Sequence, residues 1–500
     1  MRWIHPLAAE VGEPAAVLGG KAHGLVVLRR LGLPVPPGFV ITTEACRAFL
    51  GDGRPPDGLE AELAAAVAEL EAATDRKLGG PGRPLVVSVR SGGGVSMPGM
   101  LSTVLNLGLT TETTAGLAAE TGDRRFALDS RERFLTSFAA AVGDEPVPED
   151  AARQLERAVA AVFSSWDTPR ARTYRRLHDI PSGLGTAVTV QAMVFGNRDH
   201  HSGTGVAFSR NPGTGEPVPF GEVLFGRQGD DVVSGRSLTR PLHELAGREP
   251  RVWARLLDAL SRVESRYRDA CHLEFTFEAG ELWLLQVRPG QLSGAAAVRV
   301  AVDLADEGAI SRHEALRRIS PQQLGDVRTP RIVPGDVLTR GLGAGPGVAV
   351  GRVATTPGNA ARMAADGPVI LVRPQTSPLD MHGLAAAAGV LTARGGPASH
   401  AAVVARALRK PAVVGVADLT VGAPEGSFQA GGRTFPDGTL IAIDGTGGEV
   451  VLGTPRVVTG ATAPHLERLL GWADEVSGGS QDRSETGRLT AAHAVLGREG

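Results

Sequence analysis

The residue types with the most chemistry in this sequence converge on phosphoryl groups. His400 stands in Gly395-Gly-Pro-Ala-Ser-His400-Ala-Ala-Val-Val-Ala-Arg406, where an apolar strand at 389–392 runs into the Gly395-Gly396 turn. A helix carried by Ala401, Val403, Val404, Ala407 and Leu408 follows, which puts His400 at or near a helix N-terminus. A ring nitrogen there can attack phosphorus, after which backbone N–H groups and the helix dipole hold the phosphoryl oxygens. On spacing alone, a surface histidine in an ordinary strand-to-helix loop stands level with that reading.

Two further constellations suit the same chemistry. In Pro84-Leu-Val-Val-Ser-Val-Arg90-Ser-Gly-Gly-Gly94 a buried strand delivers Arg90 to a glycine-rich loop, where backbone N–H groups and a guanidinium can meet a polyphosphate. In Cys271-His272-Leu-Glu274 to Gln286-Val-Arg288-Pro289, alternation on both sides of Ala279-Gly280 predicts a β-hairpin. Residues 272, 274 and 276 then share one face, as do Gln286 and Arg288, so a carboxylate and an amide oxygen can hold magnesium beside an arginine. Lys21, in Gly19-Gly20-Lys21, is one of only three lysines, with Lys77 and Lys410. Its surroundings are not a Walker A loop, because Ala15 stands where that pattern needs glycine and Ala22 where it needs Ser or Thr.

The elements that must position these groups read as α/β throughout. Helical patterns occupy about 58–77, 128–180, 295–307, 311–319 and 465–476, with strands at 39–42, 347–354, 368–373, 388–392, 412–416 and 439–443. The end of the chain from Ser477 is polar and is expected to be flexible. Five hundred residues, 42% of them hydrophobic, are enough for two to four domains with cores. With 52 basic and 54 acidic side chains there is no charge excess to recommend nucleic acid or an anionic membrane as partner. Cys46 and Cys271 make neither a metal spacing nor a disulfide framework, no stretch is apolar enough to span a bilayer, and the N-terminus lacks a signal-peptide run. The cytoplasm is the expected location. Of the 12 histidines, His5, His23, His178, His200, His201, His243, His313, His465 and His493 lie in polar contexts and are expected to be solvated.

The longer stretches resemble the pyruvate, phosphate dikinase family. Gly395-Gly-x-x-Ser-His-Ala-Ala-Val-Val-Ala-Arg406 is similar to that family's phosphohistidine signature, and Thr376-Ser-Pro-Leu-Asp-Met-His-Gly383 and Thr392-Ala-Arg394-Gly-Gly to its surroundings. Ser88-Val-Arg-Ser-Gly92, Val95-Ser-Met-Pro-Gly-Met100, Thr103-Val-Leu-Asn-Leu-Gly-Leu109, Thr186–Asn197, Ser202–Pro212 and Gln228–Gly235 resemble its nucleotide-binding domain. The resemblance implies a multidomain α/β (α+β) chain. An ATP-grasp domain would span 1–292, a helical linker 293–339, a swivelling β/β/α phosphohistidine domain 340–455, and a helix with a flexible tail 456–500. It implies ATP as substrate with Mg²⁺, His400 as phosphoryl carrier with Arg90 and Arg288 assisting, and Lys21, Arg90, Glu222, Glu274, Gln286 and Arg288 on the nucleotide. Glu274 and Gln286 would hold the metal.

Three positions depart from the family pattern: His272 stands for Asp, Pro397 for Met and Ala398 for Thr or Ser. An imidazole at 272 weakens or remodels a magnesium site, because magnesium prefers oxygen ligands. The family's third module, a (β/α)8 barrel of roughly 200 or more residues, has no counterpart in 456–500. The expected activity is therefore the ATP and phosphate half-reaction, giving AMP, diphosphate and phospho-His400. Transfer to pyruvate would need a separate phosphoenolpyruvate- or pyruvate-binding barrel protein. The alternative is a catalytically impaired or regulatory nucleotide-binding remnant. An antibiotic phosphotransferase of the related kind would need an acceptor domain that the 292–339 connector is too short to hold.

Overall fold

Alternation of Val87 and Val89 with Ser88 and Arg90 makes a strand with one apolar and one polar face. The computed structural model places it, as Val87–Gly93, in a five-stranded sheet. The structure describes all residues except 1, 96, 98, 144, 230, 232–238, 291, 293, 326, 329, 334, 397, 398, 423, 424, 460–463, 480–482 and 498–500, and except the side chains of 177, 325 and 459. The departures at Pro397 and Ala398 and most of the Gln228–Gly235 motif therefore lie outside the described residues. The chain divides into two compact units, residues 1–203 with 274–287 and residues 204–273 with 288–500.

In the first unit the sheet order is Ile4–Pro6, Gly38–Ile41, Thr186–Ala192, Val87–Gly93, Thr103–Leu107, every pair antiparallel. Phe134 and Phe138 from the helix Arg124–Val142, and Val162 and Phe163 from Ala151–Ser165, share one buried core with Val87, Val89 and Val190. Each such side chain contributes about 1.5–3 kcal/mol through burial. The helix Thr43–Asp52, capped by Thr42, was not legible in the sequence pattern. The helix Ala15–Arg30 is kinked at Gly19, whose backbone is non-helical at φ 74°, ψ 152°. The kink brings it against the glycine end of the Val87–Gly93 strand: a Cβ on Gly19 would stand 1.8 Å from the Gly92 carbonyl oxygen.

The strands Cys271–Glu278 and Glu281–Pro289 follow one another in the chain, and in the second unit Phe220–Phe225 pairs antiparallel with Arg240–Pro241. The predicted hairpin is present, and Ala279 (φ 49°) and Gly280 (φ 79°) form its two-residue turn with both residues at positive φ.

Within the second unit the helices Gly294–Asp306, Arg312–Arg318 and Pro321–Gly325 share a core with Pro464–Ser477 and Glu485–Leu496. The expected flexible tail is thus corrected. Leu489, Ala492 and Leu496, on one helical face, are buried in that core, and His493 Nε2 lies 2.8 Å from the Leu316 carbonyl oxygen. Residues between these helices form a separate sheet layer, whose entering and leaving strands, Pro330–Ile332 and Val457–Thr459, pair antiparallel. Its eight-stranded sheet runs Val337–Arg340, Glu449–Leu452, Leu440–Asp444, Val348–Ala354, Val369–Arg373, Gly389–Thr392, Ala412–Val414, Leu342–Gly345. Four neighbours, from Val348–Ala354 to Ala412–Val414, are parallel. Phe428 and Phe435, from a three-stranded sheet, pack in one core with Ile370, Val372 and Leu391. Val369, Leu371 and Val390 pack in another with Ala401 and Ala402 of the helix His400–Ala407. Alternation along single strands thus feeds two faces, the β/β/α layering expected from the sequence.

Three of the histidines expected to be solvated are held by the fold, His493 as above. His5 is buried with Nδ1 3.3 Å from Glu13, and His465 Nε2 lies 3.2 Å from Asp303.

Candidate functional site

In the first unit the polar face of the Val87–Gly93 strand carries Arg90 opposite Thr189. Arg90 Nη2 donates to Gln191 Oε1 at 2.6 Å and to the Leu285 carbonyl oxygen at 3.3 Å, while Gln191 Nε2 donates to the Pro36 carbonyl oxygen at 3.0 Å. The Nε of Arg90 and the hydroxyl of Thr189 are buried with no hydrogen-bond partner among the described residues. A buried guanidinium held by a neutral amide keeps its full charge for an incoming anion. Burial lowers the Arg90 pKa and the nearby Glu274 carboxylate opposes that shift. Gln286, next to Leu285, is buried. Lys21 lies beside the same strand end, its Cβ 3.4 Å from where a Gly92 Cβ would stand. The first unit thus brings together Lys21, Arg90, Glu274 and the strand carrying Gln286, and adds Gln191, which no local pattern distinguishes from a core residue.

Glu274 and Gln286 offer a carboxylate and an amide oxygen. Among the described residues no three His, Cys, Asp or Glu side chains gather into a metal-ligating group. Such a sparse oxygen set fits magnesium, which takes one or two protein ligands and fills its octahedron from water and phosphate oxygens.

The remaining sequence candidates belong to the second unit. Its His272 is buried and stacked on Phe208, centroids 4.6 Å apart and planes at 11°. Arg288 is half-buried at the end of the Glu281–Pro289 strand. Glu222, only 3% exposed, faces the Gly395-Gly396 turn: a Cβ on Gly396 would stand 1.8 Å from its Oε2. Burial pushes the guanidinium of Arg406, on the helix His400–Ala407, down to about 10, with the Glu222 carboxylate opposing.

His400 is the first residue of its helix, and Ser399 is the N-cap, its side chain accepting from the Ala402 N–H at 3.5 Å. Neighbouring parallel strands, in register at Arg373 and Thr392, end side by side and release the Thr376 and His400 loops from the same sheet edge. Thr376 Oγ1 lies 3.0 Å from His400 Nδ1, and the buried Nε2 has no hydrogen-bond partner among the described residues. Burial lowers the His400 pKa below its ordinary 6.5, and Asp380 opposes the shift. Asp380 accepts from the Ser377 N–H at 2.7 Å and lies 3.5 Å from Arg373 Nε. A neutral imidazole with one open nitrogen, at a helix N-terminus, is equipped to take up a phosphoryl group.

Comparison with known proteins matches the segments that carry Lys21, Arg90 and Gln191 and the segment that carries Thr376 and His400, and leaves Glu274, Gln286 and Arg288 outside the matched segments. Residues 15–71 and 52–240 match the family model "Pyruvate phosphate dikinase, AMP/ATP-binding domain", and residues 365–448 match "PEP-utilising enzyme, mobile domain". Among curated relatives, "Pyruvate, phosphate dikinase" of Rhizobium meliloti (strain 1021) is 39% identical over 540 aligned residues, covering 95% of this chain and 60% of the relative. "Pyruvate, phosphate dikinase 2" of Zea mays is 40% identical, with 92% and 58% covered, and the Clostridium symbiosum enzyme 37%, with 95% and 60% covered. The chain spans about 60% of the length of these relatives. Among the described residues no helix is long and apolar enough to cross a membrane.

Proposed function

The chain belongs to the pyruvate, phosphate dikinase family through its AMP/ATP-binding and mobile domains, and from that premise we propose that it phosphorylates its own His400 from ATP. The observation that carries this reading is that one chain holds, in its second unit, a buried His400 Nε2 with no hydrogen-bond partner among the described residues and, in its first, an anion-ready Arg90 within the segment that matches the family's AMP/ATP-binding domain. The His400 Nε2 lone pair forms a bond to the β-phosphorus of ATP as the bond from that phosphorus to the α-bridging oxygen breaks, and AMP leaves. An oxygen of inorganic phosphate then attacks the terminal phosphorus, diphosphate leaves, and phospho-His400 remains. Lys21, Arg90 and Arg288 hold the polyphosphate oxygens, and Glu222 acts on the nucleotide side. Glu274 and Gln286 would hold magnesium, which when bound neutralises charge on the polyphosphate.

In this reading residues 1–292 form the nucleotide domain, 293–339 the linker and 340–455 the swivelling carrier, in a cytoplasmic protein. Transfer to pyruvate follows only where a phosphoenolpyruvate- or pyruvate-binding barrel supplies the acceptor site. A second reading, a nucleotide-binding relative of reduced activity, is favoured by one observation: position 272 carries an imidazole, stacked on Phe208, where the resemblance expects a carboxylate and where magnesium would prefer oxygen.

The test is incubation of the purified protein and of His400→Ala with Mg²⁺ and ATP labelled separately at the β and γ positions, with and without phosphate. The expected result is acid-labile label on the wild type alone, AMP release, and γ label leaving as diphosphate only when phosphate is present. Folded protein that takes no label and releases no AMP, with Mn²⁺ also tried, refutes the proposal and leaves the second reading.

A further inference from the structure

We propose that Thr376 is a positioning residue that keeps the exchangeable proton of His400 on Nδ1, so that the ring both accepts and releases a phosphoryl group as a neutral imidazole. The inference rests on the reading of His400 as carrier and adds to it a residue that holds the ring. Thr376 is 5% exposed, and its Oγ1 lies 3.0 Å from Nδ1. Two tautomers satisfy that distance. If the hydroxyl donated to Nδ1, the proton would sit on Nε2, leaving a buried N–H with no acceptor among the described residues. If the hydroxyl accepts from Nδ1–H, what stays unpaired is the Nε2 lone pair. Orphaned buried donors are the rarer and costlier of the two. The second tautomer is also the one with an electron pair ready for phosphorus.

The hydrogen bond then accounts for the proton through the cycle. When Nε2 forms the N–P bond, the ring becomes a phosphoimidazolium and keeps its Nδ1–H, now a charge-assisted donor to Thr376. When the phosphoryl group leaves, the N–P electron pair returns to Nε2 and the same neutral tautomer is restored. No proton enters or leaves the ring in either direction. Thr376 can do this from 24 residues away because the Val369–Arg373 and Gly389–Thr392 strands end in register, and the capping box of Ser377 and Asp380 pins the turn that follows it.

The test needs no nucleotide. In protein labelled with ¹⁵N-histidine, with the His400 signals assigned by their loss in His400→Gln, ring ¹⁵N shifts give the tautomer directly. The expected result is an Nδ1–H tautomer in the wild type, conversion towards Nε2–H in Thr376→Val, and retention of Nδ1–H in Thr376→Ser. In parallel, ATP-dependent labelling should fall about tenfold in Thr376→Val and stay within about twofold of wild type in Thr376→Ser, the scale of one hydrogen bond. An Nε2–H tautomer in the wild type or in Thr376→Ser overturns the proposal, as does a Thr376→Val protein with unchanged shifts. Should the valine variant not fold, the wild-type and serine shifts still decide. Absence of ATP labelling with an Nδ1–H wild type tells against the carrier reading and leaves the tautomer assignment standing.

Discussion

Replacing Gly19 by alanine tests whether the kinked start of the Ala15–Arg30 helix is what seats Lys21 at the Arg90 strand. The new Cβ would stand 1.8 Å from the Gly92 carbonyl oxygen and 2.8 Å from its carbon, both backbone atoms that no rotamer change can move. The backbone at φ 74°, ψ 152° adds strain of about 1–3 kcal/mol for a residue with a Cβ. Overpacking against fixed atoms adds about 1–3 kcal/mol more, so the expected destabilisation is about 2–6 kcal/mol. Gly20 is the control. Its Cβ would meet the Gly93 carbonyl oxygen at an ordinary 3.6 Å, and Gly20→Ala should change stability by no more than about 1 kcal/mol, in the favourable direction if helix propensity decides. Hydrogen exchange read by mass spectrometry on peptides covering the Val87–Gly93 strand gives the local opening free energy without assuming that the whole chain unfolds together. Titration calorimetry with ATP gives the second readout: Gly19→Ala should weaken binding in the fraction that stays folded, and Gly20→Ala should not. If the two variants exchange alike and bind alike, the packing of this helix on Gly92 is not what positions Lys21.

Gln191→Glu puts a carboxylate where a neutral amide now holds Arg90 at 2.6 Å. ATP affinity measured by calorimetry should fall about tenfold or more as the guanidinium charge is cancelled, and an unchanged affinity would remove Arg90 from the phosphate site. The half-buried His400 ring should stay neutral, and nucleophilic, below its ordinary pKa of 6.5. The acid limb of the labelling rate should therefore lie below pH 6.5 and move further down in Asp380→Asn, which removes the carboxylate that opposes the shift; a move upward refutes the assignment. The linked stability has the same sign. Because the folded ring binds its proton less readily than the unfolded one, stability is fully present above the unfolded pKa and is lost as pH falls through 6.5 towards the folded value. His272→Asp should lower the Mg²⁺ concentration needed for half-maximal labelling and raise the preference for Mg²⁺ over Mn²⁺; no change in either would separate His272 from metal binding.

What the sequence made legible follows the range over which its signals act. Alternation on either side of Ala279-Gly280 is a local signal, and the hairpin and its positive-φ turn follow it. The strand, glycine turn and capped helix around His400 lie within a dozen residues of one another, so periodicity and capping chemistry place the imidazole at its helix start. The final helix was missed for a reason of the same kind. Its buried face is Leu489, Ala492 and Leu496, and alanine contributes too little apolar contrast to stand out among Thr, Gly and Arg neighbours. Burial there depends on helices of the 294–325 segment, far away in the chain. Gln191 and Thr376 were invisible as partners because each meets its functional residue across a sheet register, 101 and 24 residues away, and a register is a property of two strands that neither one encodes alone. Both also do their work by being neutral hydrogen-bond partners. Charged side chains in a core need an explanation and so announce a site, whereas an amide or a hydroxyl on a half-apolar strand is what any satisfied core contains. In the proposed reading the groups that tune the chemistry are therefore the ones that composition hides, each beside an atom with no hydrogen-bond partner among the described residues, Arg90 Nε and His400 Nε2.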